Sequence, residues 1–198
     1  MQVQAAGSSF PAPYARHVLL LLNTQVAMLS NPPQGIPYSS TVRENIDYIL
    51  SLARAANNPP LIIHVRNTGD VGEMDEPNTP GWELFFAPTK GEVVIDNLKN
   101  NAFAGTKLGE HIRRDAELVV VGTLSDFGVR ATCSAALGRG NEVILIRGAH
   151  GTFDRVEVLY GGGITPADNI QTEIEEELEE AGVHVLDMKD VPGLFTDR

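Results

Sequence analysis

The sequence predicts an α/β fold, a three-layer doubly wound sandwich around a mostly parallel six-stranded sheet. Three observations predict it. Short continuous apolar runs recur, among them Val18-Leu19-Leu20-Leu21-Leu22 and Leu118-Val119-Val120-Val121. Strands covered on both faces read this way, because both alternating sets of side chains are buried. Segments of helical period separate the runs, and Gly and Pro clusters punctuate them. Strands alternating with helices imply right-handed βαβ crossovers.

The elements follow in order. Val18–Leu22 is the first strand, and the proline-rich stretch from Met28 to Tyr38 is loop. Thr41 and Glu44 have the spacing of a capping box. Ile46, Ile49, Leu50 and Ala53 then mark one apolar helix face, and Asn57-Asn58-Pro59-Pro60 stops the helix. Leu61–Val65 is a second strand. Asn67 to Lys90 has little periodicity, and a loop of that length inside a domain is usually functional or mobile. Glu92–Ile95 is a third strand and Gly105–Arg114 a helix. Leu118–Gly122 is a fourth strand, Phe127–Arg139 a helix closed by Gly140, and Val143–Ile146 a fifth strand. Pro166–Ala181 is an acidic helix with Gly182 beyond its end, and Val183–Leu186 is the sixth strand. Six of the eight residues Glu173–Glu180 are glutamates, but Ile170, Ile174 and Leu178 recur beneath them, so the run reads as the solvated face of an amphipathic helix.

The 198 residues are read as one domain, 1–198, with residues 1–15 as an N-terminal arm. A net charge of -11 argues against a nucleic-acid partner and against an anionic membrane surface. No signal peptide is expected at the N-terminus, and His17–Leu22 is too short to span a bilayer. The single cysteine, Cys133, cannot form an intramolecular disulfide, which points to a reducing, cytoplasmic setting. The five histidines lack close ligand spacing, so no metal site is expected, and no cofactor.

In open parallel sheets, ligands bind at the carboxyl ends of strands, where strand order reverses. That rule selects Asn23 and Gln25, Arg66 and Asn67, Asp96 to Lys99, Gly122 to Gly128 (with Leu124 and Ser125 as pocket-lining residues), and Arg147 to Thr152. The same segments carry a resemblance. Leu22-Asn23-Thr24-Gln25, Val94-Ile95-Asp96-Asn97 with Ala102-Phe103-Ala104-Gly105-Thr106, Gly122-Thr123-Leu124-Ser125-Asp126-Phe127-Gly128-Val129, and Gly148-Ala149-His150-Gly151-Thr152-Phe153-Asp154 together resemble the blocks of the isochorismatase-like, or cysteine-hydrolase, superfamily. The resemblance implies an aspartate, a lysine and a nucleophilic cysteine. Those positions hold Asn23, Asn97 and Gly128. Glycine offers no nucleophile, and an asparagine amide does not titrate near neutral pH. Isochorismatases proper also carry glycine at the cysteine position, but they keep the aspartate as the proton donor. The resemblance further implies a homo-oligomer.

Other groups would then have to supply the chemistry. Asp126 is a candidate acid or a capping carboxylate, and His150 a candidate acid or a loop histidine. Lys99 would share a face with Asn97 if the strand continued, and otherwise is solvated. His64 reads as a core histidine. Arg66 could bind a substrate carboxylate or a structural partner. Trp82 could cover a ligand or pin the long loop, and Phe103 could line the pocket or pack. Three readings remain open: noncovalent chemistry on a small carbonyl- or carboxylate-bearing ligand, a protein that binds a metabolite or partner without turnover, and a cysteine hydrolase using Cys133.

Overall fold

The computed structural model describes residues 15–159 and 161–196, so all but one residue of the expected N-terminal arm lies outside the described residues. The strands are β1 (Ala15–Leu22), β2 (Leu61–Asn67), β3 (Val93–Asn97), β4 (Ile112–Thr123), β5 (Glu142–Gly151), β6 (Arg155–Glu157), β7 (Gly163–Thr165) and β8 (His184–Leu186). The helices are α1 (Val26–Leu29), α2 (Ser39–Ala55), α3 (Leu108–His111), α4 (Arg130–Arg139), α5 (Ala167–Ala181) and α6 (Val191–Leu194), and a π-turn, Ser125–Val129, precedes α4. The six-stranded sheet runs β3-β2-β1-β4-β5-β8 with every pairing parallel. Chain order reverses between β1 and β4, and their carboxyl ends open the crevice where such sheets bind ligands.

The unbroken leucine run of β1 follows from cover on both faces. Val18, Leu20 and Leu22 pack with Val129, Cys133 and Ala136 and with Ile170, Ile174 and Leu178, beneath α4 and α5. Leu19 and Leu21 face the other way, into Val42, Ile46, Ile49 and Ala53 of α2 and Val191 and Leu194 of α6. The three expected layers are therefore present, and the expected apolar faces of α2 and α5 are the buried ones.

Several local expectations are corrected. The capping box does not form. Helix α2 begins at Ser39 behind Tyr38, whose φ is 60°, and Thr41 and Glu44 lie on exposed turns inside it. The helix expected over Gly105–Arg114 shrinks to four residues. Leu108 and Ile112 are both buried at an i, i+4 spacing that mimics a helix, but Ile112 already belongs to β4, paired with Ala15. Strand β5 runs on to Gly151, so His150 stands opposite Gly122 within the sheet and is buried rather than on a surface loop. The β6–β7 hairpin and α6 carried no pattern that marked them in the sequence. Among the described residues, no helix is long and apolar enough to cross a membrane.

One buried polar knot anchors the end of the long loop. Glu92 accepts hydrogen bonds from Arg54 Nε at 2.8 Å and Nη2 at 3.0 Å, and from the Thr89 amide at 3.0 Å. His64 Nε2 lies 2.9 Å from the same carboxylate, while His64 Nδ1 is buried without a partner among the described residues. The core reading of His64 therefore holds, with half of its ring satisfied. Burial lowers the His64 pKa against the pull of Glu92. Burial would raise the Glu92 carboxyl, but the bonds from Arg54, Thr89 and His64 outweigh it and hold it at about 2.

Both groups resist protonation more in the folded chain than in the unfolded one, so both lose stability as pH falls. Urea unfolding should give a plateau above about pH 7, a decline as His64 is forced to charge below about 6.5, and a further decline below about 4.5 as Glu92 protonates. Glu92→Gln should flatten the lower limb and cost roughly 3 kcal/mol at pH 7, because it strands Arg54 and His64. Unchanged stability from pH 7 to pH 4 in the wild-type chain would contradict this account.

Candidate active site

The crevice is built on the end of β1. Asn23 holds a left-handed conformation, φ 51°, which asparagine tolerates better than most residues. Its amide donates to Val65 O at 2.8 Å, and its carbonyl accepts from Thr123 Oγ1 at 2.6 Å. The main chain is thus tied to both neighbouring strands. The side chain is 7% exposed and makes no hydrogen bond with any described residue.

Position 128 faces it. The chain leaves β4 through Leu124, φ 62°, and enters the π-turn that carries Gly128. A Cβ placed on Gly128 would stand 2.9 Å from Asn23 Nδ2, with Asn100 O a further wall at 3.9 Å. Any side chain on this elbow would project at Asn23. Positions 23 and 128 are therefore sterically coupled, with the Asn23 amide filling the space in front of the glycine.

The turn after β3 forms the third side. Asn97 is buried, and its amide donates to Lys99 O and accepts from the Lys99 amide at 3.1 Å. Its side chain is consumed in shaping its own turn. Strand β3 ends at Asn97, so Lys99 does not continue along that face. It lies exposed beyond the strand and does not replace a buried lysine. Thr132 Oγ1 of α4 donates to Asn100 O at 3.3 Å and accepts from the Ala102 amide at 3.1 Å, clasping this turn to the elbow.

A buried polar chain supports the elbow from behind. Ser125 Oγ lies 2.9 Å from His150 Nδ1, and His150 Nε2 lies 3.1 Å from Glu175 Oε1. Glu175 also accepts from Arg147 Nε at 2.7 Å, and Arg147 reaches Asp187 at 2.8 Å. Burial would raise the Glu175 carboxyl, but the bonds from His150 and Arg147 outweigh it and hold its pKa low. Asp126 is buried and accepts from Thr152 Oγ1 at 2.6 Å, a cross-link between elbow and β5 rather than a helix cap. Glu175 went unnoticed in the sequence among its solvated neighbours. The available signal was its place three residues before Leu178, on the border of the apolar stripe.

The other expected contacts divide. Gln25 is fully buried, and its amide is spent on Asn67 N, Asn67 O and Trp82 O at 2.8 to 3.2 Å, so it fastens the long loop to β1 and is not free for a ligand. Arg66 pairs with Asp96 at 2.7 Å, and its guanidinium stacks 3.3 Å from the centre of the Trp82 ring. Trp82 therefore pins the loop over β2. Phe103 packs on the core under the Arg139 guanidinium, 4.5 Å away. Cys133 lies in the core beneath α4, fully buried, with its thiol pushed up to about 12 by burial. Both its burial and the raised pKa disfavour the thiolate, which is the reactive form.

A doubly wound sheet with an elbow after β4, facing the end of β1 at the switch point, defines the class of protein. The chain belongs to the isochorismatase domain family, whose model matches residues 17–161. Two streptothricin hydrolases of Streptomyces noursei are similar to it, 39% identical over 141 residues and 36% over 140, each across 69% of this chain. The chain spans about half the length of these curated relatives, 54% and 50%. Among solved structures, an isochorismatase of Pseudomonas putida is 27% identical with a TM-score of 0.78, over 90% of this chain and 92% of that one. A cysteine hydrolase of Pseudomonas syringae shares the fold at 19% identity and a TM-score of 0.79, over 94% and 98% of the two chains.

The coupling of positions 23 and 128 can be measured. Gly128→Ala should destabilise the chain by about 1 kcal/mol, because the new methyl displaces the Asn23 amide. In an Asn23→Ala background most of that cost should vanish; additive effects in the double-mutant cycle would refute the contact. Cys133 should resist iodoacetamide at pH 8 in the folded chain and react only on unfolding.

Proposed function

We propose that this chain acts on a small carbonyl- or carboxylate-bearing molecule, by hydrolysis, isomerisation or elimination, without a covalent enzyme intermediate. The observation that carries this reading is Gly128 at the elbow facing the uncommitted Asn23 amide. With no side chain on the elbow, no acyl-enzyme can form there. Asn23 Nδ2 can donate to a ligand carbonyl, and its Oδ1 can accept from a ligand N–H or O–H. Its main chain is fixed on both sides, so the amide is held ready without reorganisation, the condition under which dipoles stabilise developing charge. The proton that an asparagine cannot deliver must come from Asp126 or His150, by release from the bonds that hold them to Thr152 in one case and to Ser125 and Glu175 in the other. The name of the two Streptomyces relatives makes streptothricin the first substrate to assay.

A second reading, binding without turnover, is favoured by Asn97, whose amide is closed on its own turn where the family pattern has a lysine. The two readings separate in one set of assays with streptothricin and a panel of small amides and vinyl ethers. Noncovalent turnover predicts activity that survives Cys133→Ala, falls about 100-fold in kcat/KM in Asn23→Ala, and leaves no adduct on the intact mass. Saturable ligand binding with no product would establish the second reading instead. The triple variant Asn23→Asp, Asn97→Lys, Gly128→Cys should acquire thiol-dependent amidase activity. An inert but folded triple variant would count against the correspondence of these positions.

A further inference from the structure

We infer a second ligand site, for a small multivalent oxyanion, at the amino-terminal end of the sheet, opposite the crevice. A cleft of about 390 Å³ opens at the start of β4, lined by Gly109, Ile112, Arg113, Arg114, Asp115 and Arg139. Three arginines and one carboxylate line it, on a chain whose net charge is -11. Such a local excess of cations runs against the composition and needs a cause.

The protein's own contacts account for only part of it. Arg113 is spent on Asp115, at 2.7 Å through Nε and 2.9 Å through Nη2. Arg139 Nη2 donates to Ile112 O at 3.2 Å, and the guanidinium covers Phe103. Arg139 Nε remains buried with no acceptor among the described residues. Arg114 is exposed and makes no hydrogen bond or ion pair with them. The two guanidiniums repel: burial, and after it the charge of Arg114, lowers the Arg139 pKa. A buried donor without an acceptor is costly, and two like charges held close add to that cost. Both are relieved by an anion with several oxygens.

The shape fits that ligand. A Cβ on Gly109 would stand 2.9 Å from Arg139 Nη1, so glycine there keeps the guanidinium head clear on the cleft side. Guanidinium forks pair with carboxylate and phosphate oxygens in two-pronged geometry, and the volume admits a molecule the size of citrate or a sugar phosphate. The site lies at the amino end of β4, away from Asn23 and Gly128, so it is independent of the reaction proposed above and fits an effector.

Calorimetric titration of the intact chain with inorganic phosphate and, separately, with citrate tests it, at fixed ionic strength with chloride as the balancing ion. The expected result is saturable binding of at least one of the two, one per chain, weakened tenfold or more by Arg114→Gln. That variant removes an exposed side chain that has no hydrogen bond or ion pair among the described residues and relieves its repulsion of Arg139, so in the absence of anion the chain should be no less stable than the wild type. Binding of phosphate alone would mark a phosphoryl ligand, and of citrate alone a polycarboxylate. Saturation by neither, or equal binding by Arg114→Gln, would overturn the proposal.

Discussion

Burial of β1 on both faces, between two parallel neighbours, is the constraint on which the rest depends. A buried strand leaves its backbone no water, so β2 and β4 must satisfy every donor and acceptor along it. Five consecutive large apolar side chains, Val18 to Leu22, are each at most 1% exposed. At roughly 2 kcal/mol apiece, they contribute on the order of 10 kcal/mol of transfer free energy before the entropy of ordering is counted. Such a strand cannot slip, and the residue that follows it is fixed at the switch point.

Asn23 inherits that rigidity. Its peptide is bonded to Val65 on one side and Thr123 on the other, so the only freedom left is in the side chain. The elbow opposite is fixed by different means, through Ser125, Asp126 and Thr132 reaching His150 of β5, Thr152 just past it and the turn after β3. The end of β1 and the elbow are therefore both held in place, and an amide faces a glycine across the gap between them. Asn23 and Gly128 fit each other sterically, since a Cβ at position 128 would stand 2.9 Å from the Asn23 amide.

The polar residues of this chain serve two ends, and their hydrogen-bond partners separate them. Gln25, Glu92, Glu175 and Arg147 spend their hydrogen-bonding capacity within the chain, fastening the long loop and α5 to the sheet. The Asn23 side chain, the Arg114 side chain and the Nε of Arg139 have no hydrogen-bond partner among the described residues. Unspent capacity is open to a ligand but does not by itself make a site, since the Nδ1 of His64 is unspent within the core.

Much of the fold was legible in the sequence. Apolar runs and helical stripes depend on periods of two and 3.6 residues, which neighbours in sequence determine, so β1, β2, α2, α5 and the layered architecture could be read directly. The positions of Asn23, Asn97 and Gly128 at strand ends were legible for the same reason. Partners across the fold were not, since a hydrogen bond between residues far apart in sequence leaves no periodic trace. Only the tertiary structure decided that Glu175 turns inward to His150, that Gln25 is spent on the long loop, that Lys99 stays in solvent and that Cys133 is sealed in the core. The sequence by itself determined which residues stand at the crevice. Packing decided which of them still have a hydrogen bond to give, because that depends on what the rest of the chain brings within reach.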